Sequence, residues 1–415
     1  MRLGAIADDL TGASDLASVI RRERWTVLQT IGVPRAPLPP ADAVVVSLKT
    51  RTLPPAEAVA ASLSAAAFLR RTGADQLYFK YCSTFDSTDR GNIGPVLEAL
   101  LADLGEEFTI ACPAYPALQR TVYLGHLFVG HDLLSESPMR RHPLTPMTDA
   151  NLVRVLGRQC RRPIALLPLR DIDQGEEVAR QRLDLLRREG HVAAIVDTIF
   201  DRHLATVGGA CAGLPLVTGG AALGGALARA HGLPARRPEP ALLPPRSRPA
   251  VILSGSCSPA TLSQLERVAP TVPRIPIDPL ALANDDQAVA RVVEWAHGNL
   301  RRERILVYSS ADPHAVADVQ TRLGRTEAAR LIEDAFAAIA AALAEAGVRT
   351  FVVAGGETAG AVVQALGVRV LAFGEEIDPG VPWTYSLDPE GFSLAMKSGN
   401  FGGPDLFVKA LGDLA

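Results

Sequence analysis

The 415-residue sequence predicts an α/β protein of two domains, each a mainly parallel sheet flanked by helices, with the active site in the cleft between them. Three observations lead there. The length exceeds the size at which a single core normally keeps growing. Short apolar runs alternate with stretches of helical period, the pattern of parallel strands covered by helices. A seam, PARRPEPALLPPRSRP at 234–249, carries six prolines and four arginines and separates two complete sets of that alternation. Proline removes backbone donors and disfavours helix in the residue before it, so the seam runs extended as a linker. The expected domains are residues 1–233 and 250–415.

The first domain opens with a strand in RLGAIA, the turn DDLTGA, and a helix through SDLASVIRRER. AVVVSL at 43–48 is the next strand, followed by a helix inside KTRTLPPAEAVAASLSAAAFLRR. QLYFKY leads into a long polar loop, then the helix IGPVLEALLADL. Further strands lie in FTIACPA, PIALLPL and HVAAIVD. In the second domain AVILSGS precedes a helix from Pro259, and RILVYSS precedes an alanine-rich helix at 326–346. TFVVAGG meets the helix TAGAVVQALG, VRVLAFG is a strand, and LAMKSGNFGGPDLFVKAL closes the chain. No repeat of 20–50 residues is visible.

Composition narrows the function classes. Hydrophobic residues make up 48% and the net charge is −3, without a basic stripe, which argues against nucleic acid as a partner. The five cysteines are scattered with no CxxC or Cys/His spacing, so neither a disulfide framework nor a metal site is expected. Two aspartates follow the N-terminal apolar run too soon for a signal peptide, and FAAIAAALA at 336–344 is far short of a membrane span. These features predict a soluble, cytoplasmic protein that makes no membrane contact; a homo-oligomer is allowed.

In open parallel sheets, ligands collect beyond the carboxyl ends of strands. Four loops in that position are rich in Gly, Ser, Thr and Asp. In ADDLTGASD (7–15), a turn can aim one of Asp8 and Asp9 at a substrate hydroxyl as general base while the other fixes the loop; a helix N-cap would account for one aspartate and not both. KYCSTFDSTDRGNIG (80–94) offers Lys80 and Arg90 for a carboxylate or phosphate. Ser83, Thr84, Ser87 and Thr88 suit sugar hydroxyls, Asp86 is an acceptor, and Gly91 and Gly94 permit close backbone approach. Arg51, after another strand, is a second carboxylate partner. LSGSCSPAT and AGGETAG each run from a strand into a helix, where backbone amides can bind phosphate. Neither matches GxxxxGK[ST] or GxGxxG. With KSGNFGG (397–403) they suggest a nucleotide site built from backbone, and Lys397 is long enough to reach a phosphate.

Together these strings resemble the four-carbon acid sugar kinase family, and within it the 3-oxo-tetronate kinases. The carriers are IADDLTGA, KYCSTFDSTDRGNIGPV, PAYPALQRTVYLGHLFVG, LLSESPMRRHPLTPMTD, SGSCSPAT, GGETAGAV and KSGNFG, in order and over nearly the whole chain. The resemblance implies an N-terminal acid-sugar domain, a C-terminal ATP domain, and transfer of the γ-phosphoryl group to O4 of a 3-oxo-tetronate, with Mg²⁺ held by phosphates and water. It makes Ser254, Ser256, Gly355, Gly356, Glu357, Thr358, Ala359 and Gly399 nucleotide contacts. Asp8, Asp9, Arg51, Lys80, Ser83, Asp86 and Ser87 fall on the sugar side, with Asp9 preferred as base because it lies further into its loop. A nicotinamide-dependent oxidoreductase would need a GxGxxG fingerprint that the chain lacks. A sugar-acid sensor would have no use for three phosphate-type loops.

Overall fold

The computed structural model describes residues 1–142, 144–232 and 248–412, so most of the 234–249 seam lies outside the described residues. The chain divides into two compact units, Met1–Pro238 and Glu239–Ala415.

The strands of the first unit are β1 (Leu3–Ala7), β2 (Val27–Ile31), β3 (Ala43–Ser47), β4 (Gln76–Lys80), β5 (Thr109–Cys112), β6 (Arg120–Tyr123), β7 (His126–Val129), β8 (Asp132–Leu133), β9 (Ile164–Leu167), β10 (Ala193–Val196) and β11 (Leu216–Gly219). Eight of them form a sheet in the order β2-β3-β1-β4-β11-β5-β10-β9, parallel throughout. Every residue of β1, β3, β4, β5 and β10 is buried, which is why these strands read as apolar runs rather than alternating patterns. From β1 the chain moves outward through β2 and β3, then returns to place β4 on the other side of β1. The connections leaving β1 and β4 therefore diverge, which opens a crevice at their carboxyl ends.

Helices seal this sheet. Asp9 caps the helix Leu10–Arg22 by accepting from Gly12 N at 3.0 Å, and Arg21 and Arg22 occupy its last turn, where they complement the helix dipole. Its Leu16 and Ile20 are fully buried, each contributing about 1.5–3 kcal/mol. The helix packs closely on Ala221–His231: a Cβ on Gly224 would stand 2.2 Å from Leu16 Cδ1.

Five strands of this unit, β2, β6, β7, β8 and β11, are not plain in the sequence. β2 carries Gln29 and Thr30, polar yet fully buried, and Gln29 is satisfied locally by the Ser14 hydroxyl and the Leu10 carbonyl. β11 is four residues long. In segment 113–147, β6, β7 and β8 form a small antiparallel sheet whose strands are short and partly exposed. That sheet is tied to the main one by Asp197, which follows β10 and accepts from Leu124 N, Gly125 N and Leu169 N at 2.9–3.1 Å.

The second unit contains β12 (Ala250–Ser254), β13 (Arg274–Pro276), β14 (Arg304–Tyr308), β15 (Thr350–Ala354), β16 (Val370–Asp378), β17 (Val381–Asp388) and β18 (Glu390–Lys397), ordered β13-β14-β12-β15-β18-β17-β16. The first five in that order pair in parallel; β16, β17 and β18 form an antiparallel meander. β16 is plain in the sequence; β17, which connects it to β18, and the three-residue β13 are not. Among the described residues no helix is long and apolar enough to cross a membrane.

Candidate functional site

In the first unit, parallel register places Ala7, Lys80 and Gly219 in one row at the carboxyl ends of β1, β4 and β11. Asp8 follows β1 immediately, and its backbone is held by Lys80 O (accepting from Asp8 N, 3.1 Å) and by Thr50 N (donating to Asp8 O, 3.0 Å). Arg51 reaches back over this turn. Its Nε and Nη2 donate to the two oxygens of Asp8, both at 2.8 Å, and Nη2 also donates to Asp9 Oδ1 at 2.7 Å. Nη1 stands 3.7 Å from Asp86 Oδ2. Three carboxylates thus converge on one guanidinium, and the planar fork suits the bidentate contact. Asn92 locks the Arg51 loop by donating to Thr50 O and Leu53 O at 2.7 and 3.0 Å.

The two adjacent aspartates are not equivalent. The Asp8 side chain is 6% exposed and Asp9 27%. Burial raises Asp8 above the usual carboxylate range despite Arg51. Burial acts on Asp9 as well, but there the Arg51 and Lys80 charges and the Thr11 hydroxyl outweigh it, and its carboxyl is held below that range. Asp9 is therefore the accessible, ionised member, and Asp8 the buried one that orients Arg51.

Lys80 is 3% exposed, and its Nζ donates to Tyr81 O at 2.9 Å. It lies under the first turn of the helix: a Cβ on Gly12 would be 2.6 Å from Nζ and 2.2 Å from Asp9 Oδ1. Asp15, absent from the sequence-based set, belongs to this cluster. Burial pushes its carboxyl up to about 6, against the opposing charge of Lys80; Tyr115 bonds the carboxyl, while Oδ1 has no hydrogen-bond partner. The signal was its position three residues after Gly12, which brings it to the same helix face.

Asp15→Asn is expected to raise stability. Because the folded state holds the proton more tightly than the ordinary value of 3.8, Asp15 disfavours folding once ionised: fully above pH ~6, and not at all below pH ~4. The gain should reach about 3 kcal/mol at neutral pH, from 1.36 kcal/mol per unit, and vanish near pH 4, as read from urea midpoints.

The rest of the 80–94 loop divides between scaffold and surface. Phe85 and Asp86 adopt left-handed backbone, at φ +66° and +46°, held by the buried Phe85 ring edge-on to Tyr81 at 5.4 Å and by Thr84 Oγ1 donating to Asp86 Oδ1 at 2.6 Å. Ser87 is buried and accepts from Gln159 Nε2 at 2.9 Å; a Cβ on Gly91 would meet its hydroxyl at 1.9 Å. Ser83 is half-buried, and Arg90 is exposed.

In the second unit the three small-residue loops come together. Ser254, Ala354 and Lys397 share one register row, because β12, β15 and β18 are parallel neighbours. Gly255 N and Ser256 N donate to Ala354 O at 3.0 and 3.2 Å, and Gly355 N donates to Lys397 O at 3.0 Å. Gly355 has φ +117°, which an L side chain rarely adopts, and a Cβ on Gly255 would stand 2.2 Å from Thr358 Oγ1. The helices Pro259–Val268 and Gly356–Ala365 both start from these loops, presenting N-terminal amides at the same end of the sheet. Ser256, Ser258, Thr261 and Gly399 are joined by hydroxyl hydrogen bonds, including Thr261 Oγ1 to Ser256 Oγ and to Gly399 O, both at 3.0 Å. The Ser254 hydroxyl is fully buried against Ser310 at 2.8 Å, so its loop offers backbone rather than that side chain. Glu357 is exposed; Thr358 and Ala359 are buried.

Residues 3–227 match the family model for a sugar-binding N-terminal domain, and residues 251–407 that for a nucleotide-binding C-terminal domain. The chain is 50% identical to the 3-oxo-tetronate kinase of Cupriavidus necator, covering 99% of this chain and 97% of that one. It is 51% identical to the enzyme of the same name from Burkholderia multivorans, with 99% and 96% covered. A crystal structure of a Haemophilus influenzae protein of family DUF1537 is similar over 99% of both chains, at TM-score 0.84 and 41% identity. A structure from Salmonella typhimurium LT2 covers 100% of both chains at TM-score 0.92 and 40% identity.

Proposed function

Because the chain belongs to the family joining a sugar-binding N-terminal domain to a nucleotide-binding C-terminal domain, and within it to the 3-oxo-tetronate kinases, we infer that the strand-end loops of the first unit hold the sugar acid and those of the second hold ATP. The protein is an ATP-dependent kinase acting on 3-oxo-tetronate. In our reading it is cytoplasmic, and transfer is to the O4 hydroxyl.

The observation that carries the sugar-side assignment is Lys80. Its ammonium is 3% exposed beside the accessible, ionised Asp9. Arg51 is engaged by Asp8 and Asp9, so Lys80 takes the substrate carboxylate and Arg51 acts by holding the two acids in place. Asp9 accepts the O4 proton as the oxygen attacks, while Ser83 and Asp86 meet the remaining oxygens. Ser87 contributes by shaping the loop through Gln159.

On the nucleotide side, Gly356 and Gly399 offer backbone amides to the phosphates and Ser256 its hydroxyl; Gly355 supplies the turn that presents them, and Ser254, Glu357, Thr358 and Ala359 fix the loops. Phosphoryl transfer asks mainly for positioning and charge compensation, which this arrangement supplies. Among the described residues no group of three or more His, Cys, Asp or Glu could hold a metal ion. Mg²⁺ fits as a companion of the nucleotide, bound through phosphates and water, and would neutralise charge on the transferring group.

Coupled measurement of ATP consumption against four-carbon acids, their 3-oxo forms and neutral tetroses tests this reading. The expected result is turnover on 3-oxo-tetronate, with neutral tetroses at least 100-fold poorer in kcat/KM, since a buried ammonium left without its carboxylate costs on the order of 3 kcal/mol. Equal activity on acid and neutral substrate would remove the Lys80 clamp.

A further inference from the structure

We propose that the buried ammonium of Lys397 is the counter-charge for the nucleotide's phosphates, so that nucleotide binding and protonation of this lysine are coupled. The proposal rests on the nucleotide site assigned above and specifies its electrostatics. Lys397 ends β18 in the same register row as Ser254 and Ala354, at the origin of all three loops. Its side chain is 1% exposed. Nζ donates to Thr261 Oγ1 and to Gly399 O, both at 2.7 Å, so it bonds one residue from the first turn of the helix Pro259–Val268 and one from the 397–403 loop.

Both acceptors are neutral, and an ammonium has a third hydrogen to donate. Among the described residues no carboxylate forms an ion pair with Lys397. Asp378, at the end of β16, is taken by Lys409 Nζ and Gly403 N, and Asp405 is paired with Arg267. Glu357, on the adjoining helix, is exposed, and Cys257 is the remaining titratable side chain of the β12 loop. Burial is the cause that pushes Lys397 down, to about 8, with no acid opposing it. A buried cation without a counter-charge is an unstable arrangement unless an anion arrives to complete it. Two helices starting from loops at the same end of adjacent parallel strands suit an anion with several oxygens, as a polyphosphate has.

The sign follows from linkage. An arriving anion favours the protonated form and restores at least the ordinary lysine value of 10.5, so binding takes up protons above neutral pH. The uptake per nucleotide should be roughly 0.1 at pH 7, 0.5 at pH 8 and 0.9 at pH 9.5, and affinity should fall ~30-fold between pH 7 and 9.5. Phosphate, with a second pKa near ~6, is still about one tenth protonated at pH 7 and has finished titrating by pH 8, so the readings at pH 8 and 9.5 isolate the lysine.

The test is calorimetric titration of the full chain with the non-hydrolysable imido analogue of ATP and Mg²⁺, at pH 7, 8 and 9.5, in two buffers of different ionisation enthalpy. The expected result is the uptake series above, lost in Lys397→Met and kept in Cys257→Ser. Stoichiometric binding with no proton uptake in the wild-type protein at pH 8 and 9.5 overturns the proposal and leaves the nucleotide site standing. So does uptake that persists in Lys397→Met, or that disappears in Cys257→Ser. Binding unchanged in both Gly355→Val and Gly399→Val would instead remove the nucleotide site itself.

Discussion

Asp9→Asn should lower kcat by about 10²–10⁴-fold, the range typical of a lost general base, with little change in the KM for the sugar acid. The substitution separates the two roles of this residue. Asparagine caps a helix as well as aspartate does, so acceptance of Gly12 N and the start of the helix Leu10–Arg22 survive. The same oxygen accepts from Arg51 Nη2, so Arg51 keeps that contact as well as its bidentate grip on Asp8. What disappears is the charge that takes the hydroxyl proton. Steady-state kinetics on 3-oxo-tetronate, with a thermal melt as the folding control, provide the check. A kcat within a few-fold of wild type would move the base elsewhere, first to Asp15, the other carboxylate beside Lys80.

Arg51→Met should reduce kcat/KM by roughly 10²–10³-fold and destabilise the protein by about 3 kcal/mol, because it strands a buried carboxylate. Asp8 is already raised by burial while Arg51 is present; without the guanidinium its ionised form becomes untenable, and Asp9 loses its orientation. The stability loss should shrink as pH falls, since a protonated Asp8 needs no partner. Adding Asp8→Asn should restore most of the stability and none of the turnover, a non-additivity that identifies the pair as a unit. Arg51→Lys should fare little better than Met in activity, because an ammonium cannot bridge both oxygens of Asp8 and also reach Asp9. Urea midpoints across pH and kcat/KM for the single and double variants measure each part.

Much of the candidate site could be read without coordinates. Asp8, Asp9, Asp86, Gly355 and Gly399 lie in loops leaving strands whose apolar runs are plain in the sequence, and Lys80 ends such a strand. Asp15 and Asn92 were not found, for different reasons. Asp15 sits inside a helix where an aspartate usually faces water, and nothing local announces that Lys80 and Tyr115 lie against it. Asn92 works through backbone carbonyls some forty residues away. Arg51, expected to meet a substrate carboxylate, lies against Asp8 and Asp9, which belong to a different strand exit. Ser87 and Ser254, both expected to meet ligand, have their hydroxyls against Gln159 and Ser310.

Sequence alone determined the strand–loop–helix order, the two-domain α/β architecture and the family, because periodicity, glycine and proline placement and motif order are properties of neighbouring residues. Tertiary structure decided which polar groups face one another: three carboxylates on Arg51, a lysine near Asp15, and Ser254, Ala354 and Lys397 in one row. Those pairings depend on the register of strands far apart in the chain and on interactions that decay within a few ångströms, so no stretch of sequence specifies them until the sheet brings the stretches together.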